Sequence, residues 1–174
     1  MSATLAQRQR TLLQLVKGRA GEGADAALAG SLRGSPYIEL LREVMLRWRR
    51  LELERYCRFT VALLQRRGDF GPVLEGFVRS GAGSQFIEEQ AELFLNHVAA
   101  DPDALIAAMA VTENALFRSR REPAFAAVIP WSHDPAAVFA FVLHGLAFDE
   151  AAIRGAFEVR IGFQVPGGLE WGVP

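Results

Sequence analysis

The stretch SPYIELLREVMLRWRRLELERYCRFTVALLQRRGDF, residues 35–70, decides the fold class. Ser35 offers a capping hydroxyl, and Pro36 takes the first helical position, where its missing N–H costs nothing. A helical pattern then runs to about Arg67, and Gly68-Asp69 ends it. Leu41, Val44, Met45 and Trp48 fall on one face, while Leu53, Tyr56, Cys57, Thr60 and Leu64 fall on another. The two sets are out of register near Leu51, which predicts either one bent helix or two helices that meet.

Upstream, Leu5, Leu12, Leu13, Leu15 and Val16 give a first helix over residues 3–17, stopped by Gly18. Residues 18–35 are rich in Gly, Ala and Ser and read as a loop with one short helical turn at 24–29. Downstream, residues 70–80 read as a short helix, followed by a turn at Gly81-Ala82-Gly83 and a helix capped by Ser84. Asp101-Pro102 repeats the cap-plus-proline start for a helix that reaches about Arg120. These helices, joined by short loops, predict an antiparallel bundle.

The texture changes after Pro123. Ala127-Val128-Ile129 is short and apolar and runs into Pro130. Asp134-Pro135 opens another helix. Phe157, Val159, Ile161 and Phe163 then alternate with Glu158, Arg160 and Gly162, the clearest strand in the chain. Pro166-Gly167-Gly168 is a turn, after which residues 169–173 can return as a partner strand. The expected fold is therefore mainly α: a helical bundle over residues 1–122, with a small α+β C-terminal tail over residues 123–174.

Composition is that of an ordinary globular chain: 174 residues, 51% hydrophobic, 22% charged, net charge −1. No global field draws the chain to nucleic acid or to a membrane surface. The longest apolar stretch, residues 136–143, is far too short to span a bilayer. Residues 1–17 lack the apolar core of a secretory signal. Cys57 is the single cysteine, so no internal disulfide forms, and a cytoplasmic location is expected.

The search for chemistry finds little. The histidines are His97, His133 and His144, none at i,i+4 from another, and there is no cysteine pair for zinc. No metal ligands, no catalytic residues and no cofactor are therefore assigned. Arginines crowd residues 42–67. They read either as a solvated face with local pairs, such as Glu43 with Arg47 and Glu54 with Arg58, or as a surface for an acidic partner. The string Ile129-Pro130-Trp131-Ser132-His133-Asp134-Pro135 is equally two-sided. It is either a strand end leading into a capped helix, with Trp131 packing the two subdomains together, or an exposed, rigid anchor for a protein partner formed by Trp131 and His133.

Arg55-Tyr56-Cys57-Arg58-Phe59, then Gly68-Asp69-Phe70 and a short helix, resembles the helical half of partner proteins in ribosomal-peptide modification. Glu113-Asn114-Ala115-Leu116-Phe117, then Trp131 and Asp134-Pro135, extends the likeness over residues 40–165; residues 18–34 have no counterpart. The family includes the partner proteins of methanobactin and 3-thiaglutamate biosynthesis. The resemblance implies a non-catalytic subunit. It would bind a multinuclear non-haem iron oxidase and hold the leader part of a small precursor peptide, so that a cysteine of the peptide reaches the iron. The expected peptide site is the strand Phe157, Glu158, Val159, Arg160, Ile161, Gly162 and Phe163. An open sheet edge there would accept an extended peptide, with Arg160 selecting acidic side chains and Gly162 allowing close approach. The alternative class is a nucleic-acid-binding regulator using the arginine-rich helix and a winged tail.

The missing ligand spacing yields a direct expectation. Elemental analysis of chelator-free protein is expected to find no stoichiometric metal, and a full equivalent of iron or zinc per chain would overturn the non-catalytic reading.

Overall fold

The structure, a computed structural model, describes residues 4–18, 25–82, 84, 86–147, 149–162 and 164–174. The expected helix start at Ala3, residues 19–24 of the glycine-rich stretch, Gly83 of the turn and Phe163 lie outside the described residues. Eight α-helices are present among the described residues: α1 (Leu5–Val16), α2 (Ala26–Leu32), α3 (Pro36–Tyr56), α4 (Arg58–Arg67), α5 (Phe70–Ser80), α6 (Ile87–Val98), α7 (Ala104–Arg121) and α8 (Pro135–His144). Three strands, β1 (Ala126–His133), β2 (Arg154–Gly162) and β3 (Leu169–Gly172), form one antiparallel sheet at the C-terminal end. The fold is mainly α with an α+β tail.

The register conflict in residues 35–70 resolves as two helices that meet at Cys57. Its backbone leaves the helical region (φ −100°, ψ 56°) and serves both as the C-cap of α3 and the N-cap of α4. A new helix start leaves unpaired N–H groups. Here they are met from across the core: the Glu113 carboxylate of α7 accepts from Phe59 N (3.0 Å) and Thr60 N (2.8 Å). The Cys57 thiol donates to the Ala91 carbonyl at 3.8 Å and is fully buried. Burial, helped by the nearby Glu113 charge, pushes that thiol well up from its ordinary range. A neutral, enclosed thiol is a small core residue and no nucleophile.

α7 is the spine of the molecule. It packs against α4 and α6 on the helical side and against β1 and β2 on the other. One hydrophobic core therefore runs across residue 122, from Leu53, Leu64 and Phe94 through Met109 to Ile129, Val159 and Ile161. Pro36 and Pro135 mark helix starts as expected, but the Ser35 hydroxyl makes no capping bond to α3, and the N-cap of α6 is Phe86 instead of the expected Ser84. Asp134 Oδ1 accepts from Ala136 N at 2.9 Å, with Pro135 in the first turn of α8. At α7 the capping carboxylate is Asp103, two residues after the expected Asp101, accepting from Leu105 N and Ile106 N.

The sheet order is β1-β2-β3. Ile129 pairs with Val159, Trp131 with Phe157, and Val159 with Trp171. Exposed Pro130 sits in mid-β1; an edge strand tolerates it because the outer side needs no ladder bond. α8 is clipped on by aromatic rings. Phe139 stacks between Trp131 (centroids 5.8 Å apart) and Trp171 (5.6 Å), and Phe59 meets it edge-on at 5.4 Å.

Glu113 should be the most sensitive polar residue of the fold. Glu113→Ala is expected to cost about 2–4 kcal/mol in urea unfolding, because it orphans two helix-start donors. Burial raises the Glu113 pKa in the folded chain, and the N–H bonds of Phe59 and Thr60 only partly oppose it. The folded state then holds the proton more tightly than the unfolded chain does. The stability of the wild type relative to Glu113→Gln is therefore expected to be greatest at acid pH and to decline as pH climbs from about 4.5. A difference that instead grows with pH would show the N–H bonds to dominate.

Candidate functional site

The strand expected to receive a peptide lies in the middle of the sheet. β2 is paired with β1 along Arg154–Gly162 and with β3 over residues 158–161, so Glu158, Val159, Arg160 and Ile161 have partners on both sides. An extended peptide cannot add to them. The expectation of an open edge fails because residues 126–133, interrupted by Pro130, nonetheless form a full strand and take that edge. Val159 and Ile161 face the core, Phe157 is half-buried, and Glu158 and Arg160 lie on the outer face. Arg160 already pairs with Glu158 at 3.1 Å. Gly162 is not an approach route either: a Cβ there would stand 3.2 Å from the Phe125 carbonyl oxygen and 3.3 Å from the Ala126 Cβ.

Trp131 and His133 also differ from the exposed anchor considered above. Trp131 is 2% exposed and its indole N–H donates to the Thr112 hydroxyl at 3.0 Å. In alternating β1 the odd positions face α7, so both residues point inward and the packing alternative holds. His133 is 5% exposed, with Nδ1 at 2.9 Å from the Ser132 hydroxyl and Nε2 at 3.7 Å from Glu150. Burial holds its pKa below the usual imidazole value, against the opposing pull of Glu150. Glu150 also binds Arg67 (2.9 Å) and Arg154 (3.6 Å), and Arg67 pairs with Asp103. Burial works to raise Asp103, but the Ile106 N–H and Arg67 outweigh it and keep the carboxyl low. This network ties α4, α7, β1 and the start of β2 together. Among the described residues no group of three His, Cys, Asp or Glu side chains could hold a metal ion.

The arginine-rich segment is largely occupied with its own chain. Arg42 donates to the Leu15 carbonyl, Arg49 to the Ser84 carbonyl and Gln90, and Arg50 to Glu54. Arg66 lies over the Phe141 ring and reaches the Val142 carbonyl. Among the described residues neither Glu43 with Arg47 nor Glu54 with Arg58 forms the pair expected from spacing; Arg50 takes Glu54 instead.

Two open surfaces stand out among the described residues. One is a trough of about 450 Å³ on the outer side of the sheet where β1 begins and β2 ends, lined by Phe125, Ala126, Val128, Arg160, Gly162 and Val165, among others. Its floor is small and apolar, and Arg160 stands on it. The other is the bare face of α3, where Tyr37, Leu40, Leu41, Val44, Trp48 and Leu51 are all exposed. The sequence carries the signal for this second surface in its 4-3-4-3 spacing, but part of the set reads as core until the helix break is seen. Compared with known proteins, the chain matches no family model, no curated protein and no solved structure.

The burial of Trp131 fixes what its removal does. Trp131→Ala is expected to destabilise the protein by about 3–5 kcal/mol in urea unfolding. A loss below about 1 kcal/mol would mean that the stack with Phe139 contributes little.

Proposed function

We propose that this protein is a non-catalytic, cytoplasmic partner subunit that holds the leader part of a small precursor peptide and presents a cysteine of that peptide to a multinuclear non-haem iron oxidase. The observation that carries the peptide reading is the trough beside Arg160. It offers apolar lining at Ala126 and Val128 for one or two side chains, beside Arg160, whose exposed pairing with Glu158 an acidic peptide side chain would have to exchange for its own. The resemblance of residues 40–165 supplies the oxidase and the ribosomal peptide. The Cys57 thiol is buried and the Glu113 carboxylate is engaged in helix capping, so neither is free to act as nucleophile or base. The nucleic-acid reading draws no support from arginines that clamp loops and helix ends within the chain. No described helix is long and apolar enough to cross a membrane.

The test is co-expression with the products of the neighbouring genes. A tagged chain is expected to co-elute with an iron oxidase and to bind its cysteine-bearing precursor peptide in a fluorescence titration. Ala126→Phe, which fills the trough from an exposed position, is expected to weaken peptide binding about tenfold or more while leaving circular dichroism unchanged. Wild-type affinity in a folded Ala126→Phe protein would place the peptide elsewhere, and a neighbourhood without such an oxidase would remove the reading altogether.

A further inference from the structure

α3 has two apolar faces, and its own chain covers only one. Ile38, Met45, Leu46 and Leu53 turn inward. Tyr37, Leu41, Val44, Trp48 and Leu51 follow one another at steps of 4, 3, 4 and 3, the seam of a heptad repeat. Together with Leu40 beside them they are between 45% and 77% exposed. Six large apolar side chains in one stripe present on the order of 700 Å², more than the largest patch on a typical monomer and close to one side of a standard interface.

We propose that this stripe is the contact between two copies of the chain, with their α3 helices packed side by side and parallel about a two-fold axis. The charges at the rim select this occupant. Arg47 borders the seam on one side and Glu52 on the other, five residues further on. In a parallel pair those are facing positions, so Arg47 of each copy meets Glu52 of the other, twice by symmetry. An antiparallel pair centred on the stripe sets Arg47 against the apolar residues near Leu41 and gives Glu52 no cation across the interface, only Arg49 of its own chain. The ion pairs that α3 makes within its own chain, Arg42 with Glu39 and Arg50 with Glu54, do not use Arg47 or Glu52. The opposite side of α3, where Arg42 and Arg49 reach α1 and the α5–α6 connection, carries the rest of the molecule, so two copies can approach through the stripe. A rim that complements itself is what a second copy supplies; an unrelated apolar partner has no need of it.

Sedimentation equilibrium of the purified full chain at micromolar concentration tests this. The wild type is expected at twice the 19.1 kDa chain mass. Trp48→Glu and, independently, Val44→Glu are expected to give monomers with unchanged circular dichroism, since both side chains are already in solvent. Arg47→Glu and Glu52→Arg are each expected to weaken the dimer about tenfold, and the double reversal to restore it. Because Cys57 is fully buried, an introduced cysteine is the reactive one. Tyr37→Cys is expected to cross-link to itself on oxidation. A monomeric wild type overturns the proposal. Failure of the double reversal to rescue, or cross-linking only when Tyr37→Cys is mixed with Leu51→Cys, overturns the parallel arrangement.

Discussion

The buried Glu113 carboxylate sits at the start of α4, between α7 and the α3–α4 junction, and satisfies the N–H groups of Phe59 and Thr60. Without an acceptor there, α3 and α4 could not part company at Cys57, because an interior helix start with orphaned donors is too costly. The break has wide consequences. It turns α4 across α7, so that Arg67 at its far end reaches Asp103 and Glu150, and Phe59 at its near end reaches Phe139. It also frees α3 from the core beyond Ile38, Met45 and Leu53, which is why its other face is bare.

Local punctuation was readable in the sequence wherever the physics is local. Pro36 opens α3, without a capping bond from Ser35, and Asp134-Pro135 opens α8 with the Asp134 carboxylate accepting from Ala136 N, because proline and a capping side chain act within a few residues of themselves. The alternation from Phe157 onward made β2, and the glycines at 167 and 168, both at positive φ, made its turn into β3. The long-range partners were not legible. Nothing near Glu113 in the chain announces the donors at Phe59 and Thr60, and nothing near Trp131 announces Thr112 and Phe139. Pro130 makes residues 126–133 read only as a strand end before a capped helix, where the structure has a full eight-residue strand, and that difference displaces the expected peptide site. Whether β2 is an edge or a centre depends on what pairs with it, and its own alternation is the same in either case.

The two open surfaces divide the protein's possible work between its ends. The trough lies on the sheet and the bare stripe lies on α3, with the core between them. One surface can be occupied without obstructing the other, and α7 joins the two regions through a continuous core. The polar network of Arg67, Asp103, Glu150 and His133 braces the same junction from outside.

Pro130 has a further effect on the behaviour of this chain in a crowded solution. A three-stranded sheet has two outer margins, and each is a template on which identical sheets can stack end to end into fibrils. On the β1 margin the imide ring removes a donor from the middle of the strand, so no continuous ladder can grow there. On the β3 margin the strand is only four residues long, too short for an extended ladder, and the Glu170 charge stands in its middle. Polymerisation is thus discouraged at both margins by different means, and the sheet can stay solvent-facing at high concentration.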